Sequence, residues 1–315
     1  MRASRPRRSR AGGARDGFII VAVLWILAAL ATLASVASVF VARSSVTLST
    51  NDVALQSEML VLAAVELAGY RLSSPTESER PRYGQFRFRL AGAEVTVEFL
   101  SEAARVDLNA APKEMIAGLF MVLGAKRDDA GYYADRVTGW RTKPKADADG
   151  AAEDSLYRAA GLPYGPRGAP FDHCDELRLV LGLPPALVER IMPLVTIYSG
   201  LPEVNVLDAP PEVIAALPDM SPGRLNAFLQ ERVSGPDDPE FVARALGDKQ
   251  AGATTKASLA YRVRTRVFFP NRQVKTVDVV ILLTSSGKGV LYQVLSWQDD
   301  IGPAAGWLRR LDNKP

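Results

Sequence analysis

Phe18 through Ala42 carries no charge and no proline, and this run constrains the chain more than any other part of it. At about 1.5 Å of rise per helical residue it exceeds the roughly 30 Å hydrocarbon core of a bilayer. A cleaved secretory signal has an apolar core of about 7–15 residues ahead of a small-residue cleavage site. The core here is too long for that, so a membrane-spanning helix is expected. Ahead of it stand Arg2, Arg5, Arg7, Arg8, Arg10 and Arg15 against Asp16 alone. By the positive-inside rule that end stays cytoplasmic and everything after Arg43 lies on the far side.

The formal charge of +3 belongs to this leader. With six of the 38 basic and one of the 35 acidic side chains placed before Phe18, the rest holds 32 against 34, about −2. The remaining chain, roughly 270 residues, can bury the cores of two small domains. Cys174 is the only cysteine, so there is no intrachain disulfide and no compartment to read from one.

No turn signal closes the apolar run. Residues 43–68 lack glycine and proline, which predicts one helix continuing to about Leu72. Val53, Leu60 and Leu67, with Leu55, Met59 and Leu62, give it an apolar face at helical period, expected to pack on a soluble domain. After "SSPTESERPRYG" the period becomes two. Phe86, Phe88 and Leu90 alternate with Arg87 and Arg89, and Val95, Val97 and Phe99 alternate with Glu94, Thr96 and Glu98. With Ala91-Gly92 as the turn, Phe88 faces Val95 and Arg89 faces Glu94, and the apolar side rests on the long helix. Three more strands are expected from "SLAYRVRTRVFF", "QVKTVDVVILLT" and "GVLYQVLSWQ". Between the two β blocks, short helices punctuated by proline and glycine read as a helical unit inserted into a small α+β domain.

That unit contains a repeat. "DLNAAPKEMIAGL" (107–119) and "NVLDAPPEVIAAL" (205–217) align without gaps, and each reads as the start of a helix that Asp208 or its neighbours can cap. Between them, "DELRLVLGLPPALVERIMPLVTIY" gives a helix, a turn and a further helix, the outline of a helix-hairpin-helix or SAM-like bundle.

In the order leader, Gly17-Phe18, spanning helix, "DLNAAP", "GAAEDSLY", "ELRLVLGL", "VTIY" and "VNVLDAPPEVIAALP", nearly the whole chain resembles minor pseudopilin K of type II secretion systems. It departs from the family's usual Asn-Val-Asn-Thr-Ala-Pro at Asn205 to Pro210. The resemblance implies a prepilin leader, residues 1–17, cut by prepilin peptidase after Gly17 so that Phe18 becomes an N-methylated terminus; an unprocessed anchor is the plainer alternative. It also implies a transmembrane part (18–45), the rest of the helix and the first hairpin (46–104), an inserted α domain of two SAM-like units (105–250, divided near 203) and C-terminal strands completing a pseudopilin fold (251–315). Position five of such a mature chain is normally glutamate, and here it is Ala22, which matches the K-type member and a place at the tip of the fibre. Implied partners are minor pseudopilins I and J, with H a further candidate, major pseudopilin G below them, prepilin peptidase and the inner membrane. The domain beyond the membrane would be periplasmic.

The acids Asp147, Asp149, Glu153 and Asp154 supply hard oxygen ligands for calcium, or else form a solvated acidic loop. In the resembled family this loop looks calcium-binding, although the acids usual around its tryptophan are Gly139 and Thr142 beside Trp140 in this chain. Two rival functions are weaker. Nucleic-acid binding would draw on Arg262, Arg264 and Arg266, but "GLPPAL" lacks the second glycine of a phosphate-binding hairpin, the processed chain is slightly acidic, and alternating arginines are expected on the solvated face of a strand. A type IV pilus or DNA-uptake minor pilin would be its form. Enzymatic chemistry would have to use His173 and Cys174, whose adjacent side chains diverge and make no dyad.

Overall fold

A computed structural model describes residues 15–73, 80–143, 148–234, 239–247, 250–284 and 290–299. The chain forms two compact units, residues 1–59 and 60–315. Helix α1, Arg15–Leu72, makes up the described part of the first and enters the second. Its run without glycine or proline leaves nothing to break it, as the sequence predicts.

In the second unit, α1 buries Leu60, Val61, Ala64, Val65, Ala68 and Leu72. The expected apolar face is therefore corrected. Leu60 is buried, but Leu55, Met59, Leu62 and Leu67 are exposed, because the face turned to the sheet runs through Leu60/Val61, Ala64/Val65, Ala68 and Leu72 at steps of three and four, a stripe rotated away from Leu55, Met59, Leu62 and Leu67. Val53 lies outside the described side chains.

A five-stranded antiparallel sheet has the order β1-β2-β7-β8-β9, with β1 Tyr83–Leu90, β2 Ala93–Ser101, β7 Ala260–Phe268, β8 Val274–Leu283 and β9 Tyr292–Asp299. The first hairpin has the expected register, Phe88 opposite Val95 and Arg89 opposite Glu94. Its turn residues have positive φ, 49° at Ala91 and 78° at Gly92, the type I′ geometry that matches strand twist. Gly69 lies under the Tyr292 ring, where a Cβ would come within 2.5 Å of Cδ1, and Arg71 stacks over Phe86 at 4.2 Å. These two residues face opposite flanks of the helix, so α1 lies over the middle strands with β9 on one flank and β1 on the other.

Among the described residues between β2 and β7, the regular elements are helices and two short parallel strand pairs, joined by irregular connections. The order is β3 Val106–Asp107, α2 Lys113–Val122, α3 Arg127–Arg141, α4 Ala148–Ala159, α5 Pro185–Ile191, β4 Val195–Thr196, β5 Val204–Asn205, α6 Pro211–Ala215, α7 Pro222–Ser234, α8 Pro239–Leu246 and β6 Ala253–Thr254. β3 pairs with β4 and β5 with β6. One apolar cluster runs from Val106 to Leu246 through this region. The segment 174–179, expected as an ordinary helix, is a 3-10 turn.

Candidate functional site

The two repeats fold as two copies of one device. Asp107 Oδ1 accepts the Asn109 N–H at 2.8 Å, and in the second copy Asn205 Oδ1 accepts the Leu207 N–H at 3.0 Å. These side-chain turns reverse the chain after each two-residue strand. Backbone bonds follow suit: Leu108 N–H donates to Thr196 O at 2.7 Å, and Val206 N–H to Thr254 O at 3.0 Å. The helix-start expectation is corrected in detail. Pro112 and Pro210 occupy the N-cap positions without a side-chain cap, while Asp208 pairs with Arg82 Nε at 3.1 Å. Each copy is locked by an arginine from a later helix. Arg141 donates to Leu108 O and, at 2.6 Å, to Ala111 O; Arg232 donates to Val206 O and Ala209 O at 2.8 and 2.7 Å. The copies meet where Gly118 of α2 lies against the Ala216 backbone, with no room for a Cβ.

Where the helical region leaves the sheet, Glu102 is completely buried. Its carboxylate accepts from Arg105 Nη1 at 2.5 Å, from Arg262 Nε and Nη2 at 2.9 and 3.3 Å, and from the Thr196 hydroxyl. Burial alone would raise its pKa; Arg262 and Arg105, with hydrogen bonds from Arg262 and Thr196, outweigh that and hold it at about 2. Burial pushes Arg105 down to about 10, against the pull of Glu102. Next along β7, Arg264 grips Asp278 through Nε and Nη2 at 2.6 and 2.5 Å, and Arg266 lies 3.6 Å from Glu98. The expected solvated arginine face is thus corrected: Arg264 is 3% exposed, because facing strands and the Glu102 turn present a carboxylate to each arginine. Arg262 and Arg264 are spent on carboxylates inside the protein and Arg266, a third exposed, is paired at its edge, which weakens the feature that favoured nucleic acid.

The expected acidic loop is corrected: Asp149, Glu153 and Asp154 belong to helix α4, and Glu153 Oε2 lies 2.7 Å from Arg136 Nη1, with Gly139 directly beneath the carboxylate. Burial raises the Glu153 pKa despite Arg136, and its Oε1 is buried without a hydrogen-bond partner. Asp154 pairs with Arg158. Asp149 belongs to α4, but its side chain lies outside the described residues, as does Asp147 entirely. Among the described residues, no three His, Cys, Asp or Glu side chains converge on a metal position. Trp140 Nε1 donates to Glu176 Oε2 at 2.9 Å, and Glu176 Oε1 accepts the N–H groups of Asp172 and His173. His173 thus opens a 3-10 turn. Burial pushes the Cys174 thiol up to about 12, which holds it protonated and poorly nucleophilic.

In the first unit, Gly17 and Phe18 lie in the opening turns of α1, with the Phe18 side chain outside the described residues. Val21–Ser38 is long and apolar enough to cross a membrane, and no residue in it is buried. Ala22 stands among exposed Val21, Val23 and Leu24. Thr32 and Ser35 turn their hydroxyls back to carbonyls one turn earlier, at 2.8–3.1 Å, so these two hydroxyls can meet lipid with their donors satisfied.

The chain was compared with known proteins. Residues 96–200, from β2 through the first repeat copy to just past β4, match the family described as type II secretion system (T2SS), protein K. A type II secretion system protein K from Pectobacterium carotovorum subsp. carotovorum is 24% identical, with 86% of this chain and 90% of that protein covered. A chain from the crystal structure of the GspK-GspI-GspJ complex of the enterotoxigenic Escherichia coli type 2 secretion system superposes with a TM-score of 0.58 at 17% identity, covering 82% of this chain and all of the other. Over residues 96–200 the chain is similar to the type II secretion protein K family. The family match spans the first copy and its Arg141 lock, and the Arg232 copy lies beyond it. Sequence reasoning did not find Arg141, Arg232 or Glu102: an arginine near a helix end resembles any surface arginine, and "SEAARVD" resembles a polar loop.

Proposed function

We propose that this minor pseudopilin caps the tip of the periplasmic pseudopilus, in a complex with I- and J-type pseudopilins above the major pseudopilin G, and helps start the fibre that exports proteins across the outer membrane. In this reading it is made as an inner-membrane precursor with a cytoplasmic N-terminus, and prepilin peptidase cuts after Gly17 and leaves Phe18 methylated. The observation that carries the proposal is Ala22. A shaft subunit needs a carboxylate there to neutralise a neighbour's terminal ammonium within an apolar helix bundle, and the first subunit in the fibre has no neighbour above it. The bulk of residues 105–250, which the proposal treats as two SAM-like units on a pseudopilin fold, supports the same position, since a helical shaft leaves little lateral room for it. Immunogold labelling of overproduced pseudopili with antibody to residues 105–250 tests it: labels at fibre ends are expected, and regular labels along the shaft would overturn it.

Calcium belongs to this proposal as a ligand of Asp147, Asp149, Glu153 and Asp154. Its support is the buried, unbonded Oε1 of Glu153, which a hard cation would satisfy. Arg136 and Arg158 compete for two of the four carboxylates. A calcium-dependent rise in melting temperature that Glu153→Gln abolishes is expected, and an unchanged melting temperature removes the metal from the proposal.

A further inference from the structure

The two edges of the sheet differ in kind. On β1, the exposed Arg87 and Arg89 give the protection that edge strands usually carry against pairing with another chain. On β9, "YQVLSWQD" has no lysine, arginine or proline, and among the described residues β9 pairs only with β8. A bulge opposite Val280/Ile281 sets Val294 against Ile281 and Trp297 against Val279. The extra residue therefore keeps both side chains on the face that α1 covers elsewhere, although they are three apart in sequence. They stand outside the helix, 44% and 36% exposed. The edge is also firmly held. The Tyr292 hydroxyl donates to Glu66 at 3.0 Å, and its ring lies on Gly69. Leu62, one turn before Glu66 on the same helix flank, is 39% exposed.

We infer that β9 is a docking edge that receives an extended strand of a neighbouring minor pseudopilin. This rests on the tip-complex reading above and names the surface that the complex uses. The chemistry selects the occupant. The outward N–H and C=O groups of an edge strand are satisfied in regular register only by another extended backbone, while Val294 and Trp297 require apolar side chains at alternate positions of the incoming strand. The arginines of β1 exclude that mode at the opposite edge, so the sheet can grow in one direction only.

The test uses full-length chain in detergent with the I- and J-type pseudopilins of the same secretion system. Amide exchange across residues 292–299 should slow by ~10-fold or more when I and J are added. Val294→Lys, at an exposed edge position where lysine is well tolerated, should weaken assembly by ~10-fold or more at unchanged melting temperature. If the wild-type chain binds neither I nor J, the tip-complex reading itself fails. If it binds them while β9 exchange and the lysine variant's affinity stay unchanged, only the docking edge is overturned. Slow exchange already present in the isolated chain, or a second copy paired at β9, also overturns it.

Discussion

Glu102 and Arg262 are 160 residues apart in sequence and share two hydrogen bonds, at 2.9 and 3.3 Å. That pair ties β7 to the turn where the helical region begins, and its charge is also a pH sensor. Glu102 has a folded-state pKa of about 2 against an ordinary 4.5. A depressed carboxylate adds stability that is fully present above the unfolded pKa and is lost as pH falls toward the folded one, so this contribution disappears between about pH 4.5 and 2. Glu102→Gln should cost about 3 kcal/mol or more near neutral pH, because Arg105 and Arg262 lose their buried counter-charge. The same change should flatten acid denaturation within that window. Denaturant titrations from pH 7 to 2 on both proteins check this, and parallel curves would refute it.

Arg141 and Arg232 should be equally exacting. Each supplies charge-assisted bonds to two carbonyls of its repeat, worth about 1.5–3 kcal/mol apiece against a neutral partner. Substitution by alanine at either position should lower stability by roughly 2–4 kcal/mol. Lysine should recover only part of this, since an ammonium cannot span two carbonyls as the guanidinium fork does. Chemical denaturation of the four variants decides it, with full rescue by lysine as the contrary result.

How much of this was legible follows from the range of each interaction. The Phe88–Val95 register could be read because alternation and a two-residue turn are local, and the repeat because both copies kept alanine and proline in line. The length of α1 followed from the missing breakers. The pairs β3-β4 and β5-β6 were hidden because two residues show no period. The faces of α1 were misassigned because apolar residues occur almost all round the helix, so its pattern does not single out the stripe Leu60, Val61, Ala64, Val65, Ala68 and Leu72 that the sheet covers. Arg262, Arg264 and Arg266 looked solvated because their partners Glu102, Asp278 and Glu98 come from three other segments, and no spacing in one segment announces a carboxylate in another.

Processing gives a direct chemical readout. If the leader is cut as proposed, mass spectrometry of membrane-extracted protein should find Phe18, methylated, at the N-terminus. Gly17→Leu should leave the precursor whole, since a bulkier residue at the cleaved bond blocks a site that accepts glycine. Intact Met1 from an actively secreting cell would contradict it.

The position in the fibre can be tested through one added charge. Ala22 lies in a span with no acidic side chain from Phe18 to Ala42, so Ala22→Glu introduces a carboxylate into an apolar segment. In a shaft subunit that charge would be neutralised by the subunit above; at the tip there is none, and the group stays charged at a cost of about 2.5–3.5 kcal/mol at the bilayer centre, less toward the interface, or protonates. Insertion of the variant at the tip should therefore fall, and with it the number of fibres begun, while the domain beyond the membrane keeps its melting temperature. Counting pseudopili per cell in wild-type and Ala22→Glu strains measures this. Unchanged numbers, with the variant incorporated along the shaft, would mean that a neighbour does sit above residue 22 and that the chain is not the capping subunit.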